Sequence, residues 1–510
     1  MPNNRLRIGL FDPGMTHLHR VGLAGLCMTL NRLDPVHFSE LGNWILGAQS
    51  VEIQWKQNPR SLLEPIINKS FGIKDGIIDF WVHRDYKMGD LEMVLLHNAI
   101  LRTYLQHGRT RKTEKKEKGI NIQFEDKTVV QKIKSLTEYN NQRIEKFGLF
   151  DKSGGFRKNV SLAGWLFPGG TVRHVAYTLN TALYADPKKF LCLLFSPVGS
   201  LYYLVSHRNP DGKYDKRKGA AIVLPQIKDL QAYDRCYTRY LNSPVQRLYA
   251  DSLGDAGLLA LTALHSFAPG GMVGELEIDS CTVMTMGTVG WSKQQKTRTG
   301  LMHLAEIDTT RLNIFNLALR SLASMPYVKE DGTFYIHTSI PRGLIADNIA
   351  SNRDWFKGFY TLMCSKDLAR IVSFERRGLN EMIEKSIWTY ESDRFFVESI
   401  HKAIRNRYGA LAARAKQKGE PARFDREFER IRSSLMRAKN GQTLRAELAD
   451  IFARGGVNKS LQQHWSELLS LFTGPDWQKA RDLALLALAS YSGQGVDKIG
   501  NETLGEEEVE

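Results

Sequence analysis

The densest short run of chemistry in the chain is residues 291–299, WSKQQKTRT. Lys293, Lys296 and Arg298 can neutralise phosphates, while Gln294 and Gln295 can pair with a base edge, adenine N6 and N7 above all. Trp291 can stack. The same residues also suit an ordinary polar surface hairpin. Residues 207–219, HRNPDGKYDKRKG, place Lys213, Lys216, Arg217 and Lys218 around Tyr214. Charge beside an aromatic ring is how single strands are held, although an exposed hairpin tip has the same composition. Residues 107–118, HGRTRKTEKKEK, contain six Lys or Arg, two Glu and no apolar residue. With nothing to pack, this stretch is expected to be a solvated loop or helix extension. It could lie along a phosphate backbone through Arg109, Arg111, Lys112, Lys115 and Lys116, or be only a soluble excursion. A further set of cations, Arg405, Arg407 and Arg414 among them, falls near the C-terminus.

Signatures of catalysis are missing. The chain has no HExxH, no His-Asp dipeptide, no GGDD and no GxSxG. His17-x-His19 is a close histidine pair, but residues two apart on a helix point to different sides, so both read as structural. The expectation is a protein with no catalytic residues, no metal and no cofactor. A diffuse nuclease site would leave no such signature.

The elements that must position these groups read as α+β. An apolar run at 6–11, a break at Asp12-Pro13-Gly14, and helical periodicity from Leu18 to Leu30 give strand, tight turn, helix, with Thr16 as N-cap. No phosphate-loop glycine pattern is present, so Gly14, Gly22 and Gly25 are expected to serve turns and close helix packing. Strands are expected at 51–55, 77–82, 120–124, 127–133 and 334–337, and a helix over 91–104. Residues 190–205 read as a β-hairpin turning at Pro197-Val198-Gly199-Ser200. Residues 154–155 and 169–170 mark glycine turns, the latter beside Trp165 and Phe167. Residues 273–291 are β-rich, and 301–324 carry a helical pattern. From residue 375 the pattern is purely helical. The organisation expected is a mixed α/β part over 1–119, a β-rich middle over 120–374, an all-α bundle over 375–491, and an acidic disordered tail over 492–510.

Composition narrows the partners. A hydrophobic fraction of 42% and a charged fraction of 25% are ordinary for a globular chain, but a net charge of +15 is not. It favours a polyanion, whether DNA, RNA or an acidic membrane surface. There is no long apolar run and no signal-peptide pattern, so the expected location is cytoplasmic. Five cysteines, none near another in sequence, argue against a disulfide framework or a zinc ribbon.

Residues 9–26, GLFDPGMTHLHRVGLAGL, resemble the N-terminal signature of a CRISPR family, the large subunit of the type I Cascade complex in its MYXAN-subtype branch. Residues 340–359, IPRGLIADNIASNRDWFKGF, and more weakly 287–300, GTVGWSKQQKTRTG, resemble the same family. The resemblance implies a non-enzymatic subunit that recognises the protospacer-adjacent motif on duplex DNA and helps to open it. It also implies a helical C-terminal part lying along the DNA strands. Implied partners are guide RNA, target double-stranded DNA, the handle-capping and backbone subunits, and a helicase-nuclease or transposition adaptor. Small-subunit copies translated from Met382 are a further expectation. The alternatives are a nuclease, a stand-alone basic DNA-binding protein, or an RNA-binding scaffold without a CRISPR link.

Overall fold

The computed structural model describes residues 4–86, 88–162, 166–167, 183–206, 219–265, 278–290 and 295–493. Two compact units emerge. The first holds the chain up to residue 308 apart from a short internal stretch, and takes it up again at 324–337; the second takes 309–323 and everything from 338.

In the first unit, β1 (Arg5–Gly9) leads into α1 (His17–Arg32). The Asp12 carboxylate accepts the Gly9 N–H at 2.9 Å, and Gly14 turns the chain at φ +80°. Only glycine adopts that conformation without steric cost. Next come β2 (Gly42–Leu46), β3 (Ser50–Trp55), α2 (Pro59–Ser70), the hairpin β4 (Phe71–Lys74) and β5 (Ile77–Phe80), and α3 (Asp90–Arg102). Strands β1, β3 and β2 pair antiparallel in that order. Val51, Ile53 and Trp55 turn inward, as strict alternation requires.

Residues 107–118 do not stay a free loop. Here β6 (Arg111–Thr113) precedes the hairpin β7 (Lys118–Phe124) and β8 (Lys127–Ile133), and then pairs with β9 (Leu136–Tyr139). Backbone pairing, which needs no apolar side chain, holds this basic stretch in place.

Short strands β10 (Val160–Leu162) and β11 (Leu183–Ala185) follow, and then α4 (Pro187–Gly199), where a β-hairpin was expected. Asp186 caps α4 by accepting from the Lys189 N–H, and Pro187 occupies its first turn. The helix is buried from Phe190 to Gly199, so its sequence is apolar all round and shows no period. It lies tightly against α1. A Cβ on Gly22 would sit 1.7 Å from the Cys192 carbonyl oxygen, one on Gly25 2.4 Å from that of Phe195, and one on Gly199 2.1 Å from that of Val21. The glycines of the first stretch therefore serve turn and packing, as expected.

The C-terminal carbonyls of α4 would be orphans in a buried site. Tyrosine hydroxyls take them: Tyr202 donates to the Pro197 oxygen at 2.6 Å, Tyr233 to Gly199 at 2.6 Å, and Tyr237 to Ser200 at 3.4 Å. These rings come from β12 (Leu201–Val205) and α5 (Leu230–Leu241). The main sheet contains β12, β13 (Gly219–Pro225), β14 (Tyr249–Ala250), β15 (Cys281–Gly290) and β16 (Gln295–Leu304), ordered β14-β12-β13-β15-β16, with α6 (Leu253–His265) packed on it. Leu301 to Leu304 thus close a strand, where a helical pattern was expected. The hairpin β17 (Met325–Val328) and β18 (Phe334–His337) also belongs to this unit.

The second unit is helical: α7 (Thr309–Ser321), α8 (Ile340–Ala350), α9 (Lys366–Phe374), α10 (Arg376–Lys385), α11 (Glu391–Lys418), α12 (Phe424–Arg437), α13 (Gly441–Gly455), α14 (Lys459–Gln463), α15 (Trp465–Thr473) and α16 (Trp477–Ser490). The central helix is α16, buried from Asp482 to Ser490. Residues 353–355 lie outside any helix, in the connection that follows α8, and His464 separates α14 from α15. The expected glycine turn at 169–170, the 207–218 cluster, residues 273–277 at the start of the expected β-rich stretch, and the acidic tail beyond 493 lie outside the described residues.

Candidate nucleic-acid interface

The candidate cations are not equivalent. Arg109 is exposed in the turn before β6, and Lys115 and Lys116 are exposed after it. Arg111 is spoken for: its guanidinium donates to the Leu101 carbonyl at 2.6 Å and to that of Leu105, closing the end of α3. Burial lowers its pKa. Lys112 pairs with Glu138 at 2.7 Å. Lys213, Lys216, Arg217 and Lys218 lie outside the described residues, as do Trp291, Lys293 and Gln294. Gln295, Lys296 and Arg298 are on β16, opposite Gly290, Val289 and Gly287 of β15.

On α11 the cations sort by helix face. Arg407 faces α12, where it meets the Glu427 carboxylate at 3.0 Å. Arg430 reaches the same carboxylate at 2.8 Å and Asp450 at 3.0 Å. Burial pushes the Glu427 carboxyl up, but hydrogen bonds from Arg430 and Arg407 outweigh it, and the net shift is downward. Arg432 pairs with Glu429 at 2.5 Å and donates to the Met363 carbonyl at 2.6 Å. These arginines hold the bundle together.

Arg405 and Arg414 are exposed, but nine positions apart they lie on opposite sides of the helix. The residues that share a side with Arg405 are Lys402 and Lys416, both exposed. Between them sit Gly409 and Ala413, also exposed, and a Cβ on Gly409 would meet nothing within 4 Å. From Ser399 to Gly419 the sequence has no acid. The result is a smooth cationic face spanning about 21 Å from Lys402 to Lys416, at 1.5 Å per residue. Lys402 was not singled out from sequence. The acid-free run, combined with the buried face of α11, was the signal that marks it.

The strings that carry the family resemblance build structure. Thr16 donates its N–H to His19 Nδ1 at 3.2 Å, and burial lowers the His19 pKa to about 4. His17 Nδ1 bonds Thr282 Oγ1 at 2.6 Å, which in turn meets His303 Nδ1 at 2.9 Å. The two histidines of the pair therefore go different ways, and the His17 bond ties α1 to the main sheet. Among the described residues no three potential ligands gather as a metal site. In the second string, Asn348 donates to the Trp355 and Lys357 carbonyls at 3.0 and 2.7 Å. Buried Asp482 accepts the N–H groups of Gly358 at 2.7 Å and Tyr360 at 3.0 Å. No helix among the described residues is long and apolar enough to cross a membrane.

Comparison with known proteins gives a consistent picture. The DevT N-terminal domain matches residues 7–194, and the DevT C-terminal domain matches residues 384–510. The chain is also similar to a curated protein of Myxococcus xanthus (strain DK1622) named CRISPR-associated protein Cas8a1/Csx13. The two are 26% identical over 526 residues, covering 96% of this chain and 89% of that protein.

Proposed function

The chain belongs to the DevT family, and on that premise we propose that it is the large, non-catalytic subunit of a type I CRISPR RNA-guided complex that targets DNA. The likeness to a CRISPR-associated protein runs nearly end to end, so the reading applies to the chain as a whole. The observation that carries the nucleic-acid part is the exposed, acid-free face of α11 with Lys402, Arg405 and Lys416. Such a face suits a phosphate backbone, and its small residues let the strand come close. In this scheme guide RNA reads sequence by base pairing, and protein reads the short adjacent motif and the strand backbones. Residues 291–298 and the 207–219 cluster are the proposed contacts for the motif and for opened strands. Guide RNA, target duplex and the other complex subunits are the proposed partners, with a helicase-nuclease or a transposition adaptor acting downstream.

The test is to co-express the tagged chain with its neighbouring genes and to sequence the RNA that purifies with it. Uniform repeat-derived RNA is the expected result. No RNA, or a random cellular mixture, overturns the proposal. Cleavage of DNA by the pure chain with a divalent metal would replace it with a nuclease.

A further inference from the structure

Hairpins β7–β8 and β17–β18 meet edge to edge. The Val130 N–H donates to the Gly332 carbonyl at 2.8 Å, and Val130 bridges Thr333 in parallel. Their inner sides are apolar, with Phe124 against Phe334 at 5.0 Å between ring centroids. Their outer sides form one exposed face. On β17 and β18 the cross-strand pairs Met325–His337 and Tyr327–Tyr335 point outward. Three rings gather there: Tyr327 lies 4.9 Å from Tyr335 and 6.2 Å from His337, and Tyr335 lies 5.0 Å from His337.

Burying aromatic surface is a main source of stability, so an exposed tyrosine set against two half-buried rings calls for a reason. Tyr327 is 46% exposed and Met325 64%. On the adjoining strand, Lys132 stands two residues beyond Val130, level with Tyr335 two residues beyond Thr333. Among the described residues, no outward position of these four strands is acidic. The acids Glu125, Asp126, Glu330 and Asp331 occupy the two turns, which lie at the same end because β8 and β18 run parallel. The rings and Lys132 occupy the other end.

We propose that this face stacks unpaired bases of a single-stranded nucleic acid on Tyr327 and Tyr335, with Lys132 beside the phosphates. The proposal rests on the nucleic-acid reading given above and assigns a surface that reading does not use. Rings hold bases of any identity, because every base has a π face, and lysine supplies the charge. An obligate protein partner would ask for contiguous apolar surface. Here Thr333, just before β18, and Tyr335 on it stand between Val130 on β8 and Met325 on β17, and Lys132 flanks Val130, so the apolar side chains do not run together.

The experiment measures fluorescence anisotropy of the full chain with a labelled single-stranded DNA, a single-stranded RNA of the same sequence, and the DNA duplex, at one fixed salt concentration. Tyr327→Ala with Tyr335→Ala should weaken single-strand binding about tenfold or more and leave duplex binding within about twofold. Tyr327→Phe with Tyr335→Phe should bind like the natural chain. Which single strand responds tells DNA from RNA. Because Tyr335 is half-buried, Tyr327→Ala alone serves as a second variant, and photocrosslinking of iodouracil-bearing strands should label Tyr327. Unchanged single-strand affinity in both alanine variants, or crosslinks only elsewhere, overturns the proposal. So does a variant that keeps its strands but loses a co-expressed protein. If the natural chain binds neither single strands nor duplex, the nucleic-acid reading itself fails and takes this proposal with it.

Discussion

At Gly22 the margin is a single atom. A methyl group there would enter the Cys192 carbonyl, which belongs to a helix backbone and cannot step aside. Gly22→Ala is therefore expected to destabilise the chain by about 3 kcal/mol or more, or to prevent folding, whereas Gly409→Ala, in open space on α11, should stabilise it by up to about 1 kcal/mol. Urea denaturation of both variants checks the contrast. Buried histidines set a pH limit at the same scale. Burial lowers His19, His97 and His401 to about 4. The unfolded chain takes up protons near pH 6.5 that the folded chain refuses. Stability is thus complete above pH 6.5 and is lost as the pH falls toward 4, by roughly 1.4 kcal/mol per unit for each such group. His401→Gln can keep the 2.9 Å bond to Ser490 Oγ and does not titrate. Denaturation between pH 7 and 4.5 should show a shallower loss in that variant, and an unchanged slope would refute the assignment.

At the level of elements, α11 carries two kinds of cation that should separate cleanly. Arg405→Ala and Lys416→Ala are expected to leave folding intact and to reduce the salt slope of nucleic-acid binding by about 1 for each phosphate left unneutralised. Arg407→Ala should instead cost stability, about 1–3 kcal/mol, because it strips a partner from the buried Glu427 carboxylate. Binding titrations over a salt series, set beside thermal melts, distinguish the two. The tyrosine caps of α4 make a parallel case: Tyr233→Phe leaves the Gly199 carbonyl buried without its donor and should cost about 1–2 kcal/mol. Periodicity made α3, β3, the β7–β8 hairpin, β18 and most of the C-terminal helices legible, since each has one wet and one dry side. It failed for α4, which is dry all round, and Pro197 there sits in a last helical turn that imitates a loop. It failed for residues 107–118 because β6 is held by backbone pairing with β9, some 25 residues on. The site was legible only as a surplus of charge. Which arginines are free depends on acids far away in sequence, as Arg407 on Glu427 shows, and local reading cannot see them.

Across the whole molecule, the question is where the helical part can be cut. A product starting at Met382 would keep α11 to α16 but discard the first half of α10, all of α9 and residues 358–363. Those segments cover α16. Gly378 packs so closely on α7 that a Cβ would lie 2.0 Å from the Ser321 carbonyl, and Leu379 and Met382 are fully buried. Asp482 would also lose both of its N–H donors, from Gly358 and Tyr360. Burial already pushes its carboxyl upward even with those donors in place. Uncovering α16 exposes a helix of leucine and alanine, and each large side chain returned to water forfeits about 1.5–3 kcal/mol. The fragment 309–510 is therefore expected to unfold cooperatively, because it retains α7 to α10. The fragment 382–510, alone, is expected to melt without a sharp transition, and binding to the assembled complex should restore its cooperativity. Differential scanning calorimetry of the two fragments decides the matter. A sharp transition of similar midpoint in the shorter one would mean that α11 to α16 form a self-sufficient bundle, and that internal initiation at Met382 yields a subunit needing no support from the rest of the chain.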